Sequence, residues 1–388
     1  MNLGLALSGG GFRATVYHLG VLARLAQEER LEDVTFLSTV SGGSLCVGLV
    51  YALNQFHWPS SQSYREAVLP QARRQMTTYD FQADLLRWAL RAPWRFFQTK
   101  ASGVSRVIQQ RWGVSIRLNE LPGHPRWMIN ATCYETGKNW RFEQFRMGDY
   151  LFGYTNDTDI PLSHALAASA GFPGLIGPLV LSTKRRRWFK YKARSQDADT
   201  EADEVEDSRL TETVKPAFSR VHLWDGGVYD NHGLEGVHDF TTGWRQGIDF
   251  LLISDGSGKA KAESYRLGAG VFLRIITGVM MDQIRSLRSR AVLERIRNHD
   301  DKGVYLTIGR DCPSVIAAAG KSQELAPLYQ DCLTSEEANR AGEFPTVIRK
   351  LTDAEFELLF RHGFEIADCT LHTYYPDLFG HVAYQTAG

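Results

Sequence analysis

Two segments near the start of the chain repeat one pattern: a short apolar run, then glycines, then a helix-like stretch. Leu3–Leu7 leads into Ser8-Gly9-Gly10-Gly11 and the helical periodicity of Ala14–Gln27, with Val16, Leu19, Leu22 and Leu25 at helical spacing. Val34–Val40 leads into Ser41-Gly42-Gly43 and the helical run Leu45–Leu53. This β-α-β-α order predicts a parallel sheet with helices on its faces. Further strands are expected at Trp127–Cys133, His222–Trp224, Phe250–Ser254 and Val304–Ile308. Helices are expected at Pro161–Ala170, along Tyr265–Asn298 and at Thr352–Leu371, the last interrupted at Gly363.

The second unit has the layout of a nucleophile elbow. A serine at the end of a buried strand, followed at once by glycines and a helix, is pushed out of the sheet. A Cβ at Gly42 or Gly43 would crowd the turn, and the helix that follows aims its positive end at Ser41. The usual elbow is G-x-S-x-G, and Thr39 stands where its first glycine would be.

The first unit, Ser8-Gly9-Gly10-Gly11-Phe12-Arg13, leaves backbone N–H groups bare at a helix start. A phosphate cradle and an oxyanion hole both fit that description. The Gly-Lys-Ser/Thr of a phosphate loop and the G-x-G-x-x-G of a dinucleotide site are both missing. Farther along, Trp224-Asp225-Gly226-Gly227 puts an acid on a bare turn after a strand. There Asp225 reads either as a general base for Ser41 or as an ordinary Asp-Gly turn. Ala168-Ser169-Ala170-Gly171 through Pro178 reads only as a rigid loop.

Taken together and in order, these four segments resemble the patatin-like phospholipases. The match covers about residues 3–257: Gly9-Gly10-Gly11-Phe12-Arg13 as oxyanion loop, Ser41-Gly42-Gly43 as elbow, Ala168-Ser169 through Pro178, and Asp225-Gly226-Gly227. Asn130-Ala131-Thr132 resembles the family's central strand. Thr39 and Ala14 depart from the family pattern without removing a catalytic group. The resemblance implies a three-layer α/β/α fold with a mainly parallel sheet. It implies a catalytic domain over 1–257 and a mostly helical part, 258–388, packed on it. It also implies a lipid acyl hydrolase of phospholipase A or lysophospholipase type, working through an acyl-serine. Ser41 would be the nucleophile and Asp225 its base. Gly9, Gly10 and Gly11, with Arg13, would form the oxyanion hole. No cofactor and no metal enter this scheme. The alternatives are a Ser-His-Asp carboxylesterase, with His362, His372 or His381 late enough in the chain, and an inactive lipid-binding or scaffold module on the same fold. His18, His164, His222 and His232 read as packed or solvated.

Composition bounds the partners. The 388 residues suffice for one large α/β domain with extensions or for two modest domains. Forty-four basic and 44 acidic residues cancel, which argues against a nucleic-acid polymer as partner. Five cysteines without a C-x-x-C pair suggest reduced thiols in a cytosolic protein. No apolar run reaches membrane-spanning length and no basic leader precedes the first strand. The expectation is a cytoplasmic protein that meets its phospholipid or lysophospholipid substrate peripherally, at the inner membrane face. Leu85–Phe97 and the basic, aromatic Lys184–Arg194 are the candidate membrane contacts. Residues 184–215 read as a charged inserted loop, partly disordered. Nothing in the sequence decides whether a partner or a nucleotide messenger activates the protein.

Overall fold

The computed structural model describes residues 1–90, 100–174, 176–191, 211–239, 241–259, 262, 264–265 and 267–385. The strands are β1 (Leu3–Leu7), β2 (Val34–Val40), β3 (Arg126–Cys133), β4 (Asn139–Phe142), β5 (Met147–Asp149), β6 (Gly153–Thr155) and β7 (Leu179–Ser182). They continue with β8 (Trp188–Tyr191), β9 (Thr211–Val214), β10 (Arg220–Asp225), a small ribbon of β11 (His238–Asp239) and β12 (Gly243–Trp244), then β13 (Phe250–Asp255) and β14 (Lys302–Thr307). The centre of the main sheet is parallel, in the order β14-β13-β1-β2-β3. An antiparallel wing, β4-β5-β6-β8-β9, extends it.

Alternation along the strands builds a layer on each face. Leu3, Leu5 and Leu7 pack with α1 (Gly11–Gln27), α2 (Gly42–Leu53) and the C-terminal helix Asp353–Tyr374. Ala6, Leu251 and Ile253 face the other way, toward Leu234, Val237 and Val292 of the helix Met281–Asn298. The result is the mixed α/β sandwich expected from the sequence, with the apolar runs as its central strands.

Two expectations change. The C-terminal helix is continuous through Gly363. That glycine is a contact point: a Cβ there would lie 2.0 Å from the carbonyl oxygen of Tyr17, and one at Gly20 would lie 2.0 Å from that of Phe360. The two helices cross backbone to backbone, and only glycine permits it. The 184–215 segment is not simply a loop. Its ends are β8 and β9, paired antiparallel and joined to the sheet edge at Tyr154–Phe189. Trp188 is buried against Trp140 and Phe152, so the aromatics of the basic run serve the sheet. Residues 192–210, where disorder was expected, lie outside the described residues, as do residues 91–99 of the Leu85–Phe97 stretch.

Candidate active site

β2 and β10 meet end to end along one edge of β3. β2 runs parallel to β3 as far as Val40, opposite Asn130. β10 then continues that edge in the antiparallel sense, with Asp225 opposite Ala131. The other edge of β3 holds β4. The C-terminal ends of two strands running in opposite directions thus point at each other, and the residue after Val40 is Ser41.

Ser41 has φ 48° and ψ −112°, a left-handed conformation that a non-glycine residue adopts only under constraint. The constraint is visible. A Cβ at Gly42 would lie 2.4 Å from the Gly11 carbonyl oxygen, and one at Gly43 would lie 2.3 Å from that of Leu7. The elbow is pressed against the first loop. The Ser41 N–H donates to Ser169 Oγ at 2.9 Å. A row of hydroxyls continues from there: Ser169 Oγ to Ser44 Oγ at 2.8 Å, Ser44 Oγ to Thr39 Oγ1 at 2.8 Å, with Trp127 Nε1 donating to Thr39 Oγ1 at 2.9 Å. Thr39, the departure from the elbow pattern, is a link in this row.

Asp225 is held from the same segment. Its N–H donates to the Gly171 carbonyl at 3.2 Å, and that of Gly226 donates to the Ser169 carbonyl at 3.3 Å. The segment read from the sequence as a rigid loop therefore braces Ser41 through Ser169 and Asp225 through Gly171. The Asp225 carboxyl is buried, and Oδ1 accepts from the Gly227 N–H at 2.8 Å. Oδ2 has no hydrogen bond of ordinary geometry. Burial raises the pKa to about 7, against the opposing pull of the Gly227 N–H and of the nearby Ser41 hydroxyl. The carboxyl and the hydroxyl are thus neighbours, with the acid poised near neutrality.

Both residues line a cavity of about 700 Å³. Its lining includes the apolar side chains of Leu45, Phe81, Val104, Phe172, Ile176 and Ile348 and the charged ones of Lys259, Arg274, Asp282, Arg285 and Glu343. Two helix N-termini open on it, those of α1 at Gly11 and of α2 at Gly42. Neither has a side-chain cap or an acidic residue in its first turn. Among the described residues, the N–H groups of Gly10, Gly11 and Gly42 donate to no acceptor.

Two of the expected oxyanion residues are otherwise engaged. The Gly9 N–H donates to the Asn231 carbonyl at 3.1 Å, so it is not available to a substrate. The Arg13 guanidinium donates to the carbonyls of Gly256, Ser257 and Phe344, tying the loop to the chain beyond β13. Asn231 is a site residue that the sequence did not disclose. It lines the cavity, holds Gly9 through its carbonyl and donates from Nδ2 to Ser257 Oγ at 2.7 Å. Its only signal was a position just beyond the Asp225-Gly226-Gly227 turn. Behind the loop lies Asp255, which accepts from Ser257 N, Arg285 Nε and Tyr305 OH. Burial opposes its charge, yet His232 and Arg285 hold it well below the usual carboxylate range.

The family model of the patatin-like phospholipases matches residues 5–238, a span holding the first loop, the elbow and the Asp225 turn. The chain belongs to this family. Among solved structures, human GIVD cytosolic phospholipase A2 is similar in fold, with a TM-score of 0.57 at 14% identity. The match covers 96% of this chain but 61% of that one. The same human protein in complex with methyl gamma-linolenyl fluorophosphonate gives a TM-score of 0.49 at 14% identity, over 96% of this chain and 58% of that chain. No curated protein sequence matches. At such identities the structural likeness is one of fold.

No histidine of the described residues lines the cavity of this family member. His18 is buried between Ser254 Oγ and the Ser8 carbonyl, where burial lowers its pKa to about 4. His362 accepts from the Gly309 N–H, His372 contacts the Phe379 carbonyl, and His381 pairs with Asp368. Each of these four imidazoles has a partner other than Ser41. No helix among the described residues is long and apolar enough to cross a membrane.

Proposed function

We propose that the protein is a lipid acyl hydrolase using a Ser41–Asp225 dyad, with a catalytic unit over 1–257 and residues 258–388 packed on it. What supports this reading is the convergence, on one cavity, of a strained serine, a buried carboxyl with a pKa near 7 and two uncapped helix N-termini.

Ionised Asp225 takes the Ser41 proton as Oγ attacks an ester carbonyl carbon. The carbonyl oxygen becomes an oxyanion facing the Gly10, Gly11 and Gly42 N–H groups, where each donor is worth roughly 3–4 kcal/mol of barrier. Collapse breaks the ester C–O bond, and the proton on Asp225 passes to the departing alkoxide. Water then attacks the acyl-serine and gives its proton to Asp225. Release of the fatty acid returns a proton to Ser41 Oγ. Arg13 acts as a strap on the loop. The apolar lining side chains suit an acyl chain and the charged ones a phospholipid or lysophospholipid headgroup.

The test is lipid mass spectrometry of a total lipid extract treated with wild type and with Ser41→Ala, alongside fluorophosphonate labelling. Free fatty acid should accumulate and label should attach only with wild type. Equal release by Ser41→Ala would refute the assignment. A Ser-His-Asp enzyme would in addition lose activity in His362→Ala, His372→Ala or His381→Ala.

A further inference from the structure

The five cysteines are scattered along the chain, and the fold gathers three of them. Cys312 opens the helix Cys312–Ala318, Cys369 lies on the C-terminal helix, and Cys332 precedes Thr334, the cap of the helix Ser335–Glu343. Glu365 joins the three segments. Its carbonyl accepts from the Cys312 thiol at 3.7 Å, and its carboxylate accepts from the N–H of Leu333, the neighbour of Cys332, at 2.8 Å. Cys369 stands one helical turn beyond Glu365, and its thiol donates to the Cys312 carbonyl at 3.6 Å. Cys312 is the middle of the trio. The thiols of Cys332 and Cys369 are close enough to interact with its own, and with burial they hold its pKa well above that of an ordinary thiol. All three are free thiols. They are unequal in access: Cys312 and Cys369 are buried, while Cys332 is half-buried. Cys332 also stands beside a cation. The Arg361 guanidinium interacts with it and donates to the carbonyl of the preceding Asp331 at 2.6 Å. A partly exposed thiol next to a guanidinium, with a second thiol behind it, is the setting in which cysteines meet oxidants.

We propose that Cys332 and Cys312 form a peroxide-reactive thiol pair, in which Cys332 meets the oxidant and Cys312 resolves it to a disulfide. Cys332 Sγ attacks hydrogen peroxide. The O–O bond breaks, an S–O bond forms, and the departing hydroxide leaves with the thiol proton as water. Cys312 Sγ then attacks the sulfur of that sulfenic acid. The S–S bond forms, the S–O bond breaks, and the oxygen leaves as a second water with the Cys312 proton. The two thiols give up two electrons, and one peroxide takes them. A dithiol reverses the change. The bond would tie the helix Cys312–Ala318 to the segment that leads into Ser335–Glu343. The far end of that segment reaches the cavity at Glu343 and Phe344, and the Phe344 carbonyl holds Arg13. The site uses no residue of the reaction proposed for Ser41 and stands independently of it.

The test exposes folded wild type, Cys332→Ser and Cys369→Ser to hydrogen peroxide. Each is then unfolded in N-ethylmaleimide, and a non-reducing digest is mapped by mass spectrometry. Wild type and Cys369→Ser should yield a peptide pair linked through Cys312 and Cys332 that dithiothreitol separates. Cys332→Ser should yield no link and should keep Cys312 as a thiol. Cys46 and Cys133, buried on α2 and β3, should stay thiols in all three proteins. The melting temperature should rise on oxidation by several degrees more in wild type than in Cys332→Ser, because the bond closes the loop 312–332 in the unfolded chain. Cys332 driven to sulfonic acid with Cys312 still a thiol would overturn the pairing. So would a Cys312–Cys369 link in its place, or no reaction of any thiol in the trio. A wild-type melting temperature lowered relative to that of Cys332→Ser would show that the two sulfurs meet only by distorting the fold, and would overturn it as well.

Discussion

Asparagine at position 225 should slow ester hydrolysis severely and, at alkaline pH, make the protein more stable. The folded-state pKa of Asp225 is raised from 3.8 to about 7, chiefly by burial. The fold therefore binds this proton more tightly than the unfolded chain does. The resulting stabilisation is complete below about pH 4, falls as pH rises toward 7 and is lost above it. At about 1.4 kcal/mol per pH unit, the ionised carboxyl costs the wild-type fold roughly 4 kcal/mol at pH 8 and roughly 1.5 kcal/mol at pH 5. Asparagine is neutral throughout, and its carbonyl oxygen still accepts from the Gly227 N–H. The advantage of Asp225→Asn over wild type should grow by about 2.5 kcal/mol between pH 5 and pH 8.

Urea unfolding of both proteins, followed by tryptophan fluorescence at several pH values across that range, measures the difference. Titrations of other groups cancel between the pair where they are independent of residue 225. Hydrolysis of a soluble ester by the same samples should drop by about two to four orders of magnitude, the usual contribution of a general base. A stability difference that stays constant with pH would refute the buried, proton-holding carboxyl. Retained turnover would refute its role as base.

For wild type, kcat/KM toward a soluble ester should climb with pH through about 7 and level off above, because the base works as the carboxylate; a flat profile over pH 5.5–8.5 would contradict this. Ser169→Ala removes the acceptor of the Ser41 N–H and a partner of Ser44. It should cost about 1–3 kcal/mol of stability and lower kcat more than it raises KM, as stopped-time assays of wild type and variant would show. Gly363→Ala puts a methyl group 2.0 Å from the Tyr17 carbonyl oxygen and should cost about 3 kcal/mol or more. An unchanged melting temperature would refute the close helix crossing.

The central strands and the turns that carry Ser41 and Asp225 were legible because their signals are local. A buried parallel strand is a short apolar run, and a strand-to-helix turn announces itself by glycine. The misreadings share one cause, a partner distant in the chain. Nothing beside Gly9 reveals that its N–H is taken by the carbonyl of Asn231. Gly363 looked like a helix breaker because its reason, the backbone of α1, lies at Tyr17. Arg185, Arg186 and Arg187 hid the strand that follows them, where Trp188 turns inward and Lys190 stays partly exposed. The work of Asn231 and Ser169 was not legible locally, since it consists of hydrogen bonds to segments far away.

The meeting of Ser41 and Asp225 then reduces to the register of β3. Asn130 donates from Nδ2 to the Thr39 carbonyl at 3.0 Å and to Ser38 Oγ at 3.0 Å, and so fixes the end of β2. Thr132 Oγ1 donates to the Asp225 carbonyl at 2.8 Å and so fixes the end of β10. The two clamps stand two residues apart and therefore on the same face of the strand. A slip of β10 by one residue would turn the Asp225 side chain to the opposite face and part it from the serine. An Asn-Ala-Thr triplet in the middle of an apolar strand is otherwise a poor choice for a core, burying two polar side chains where aliphatic ones would pack. Its presence is explained if what it holds is the gap between two strand ends, where an error of a single residue would separate the Ser41 hydroxyl from the Asp225 carboxyl.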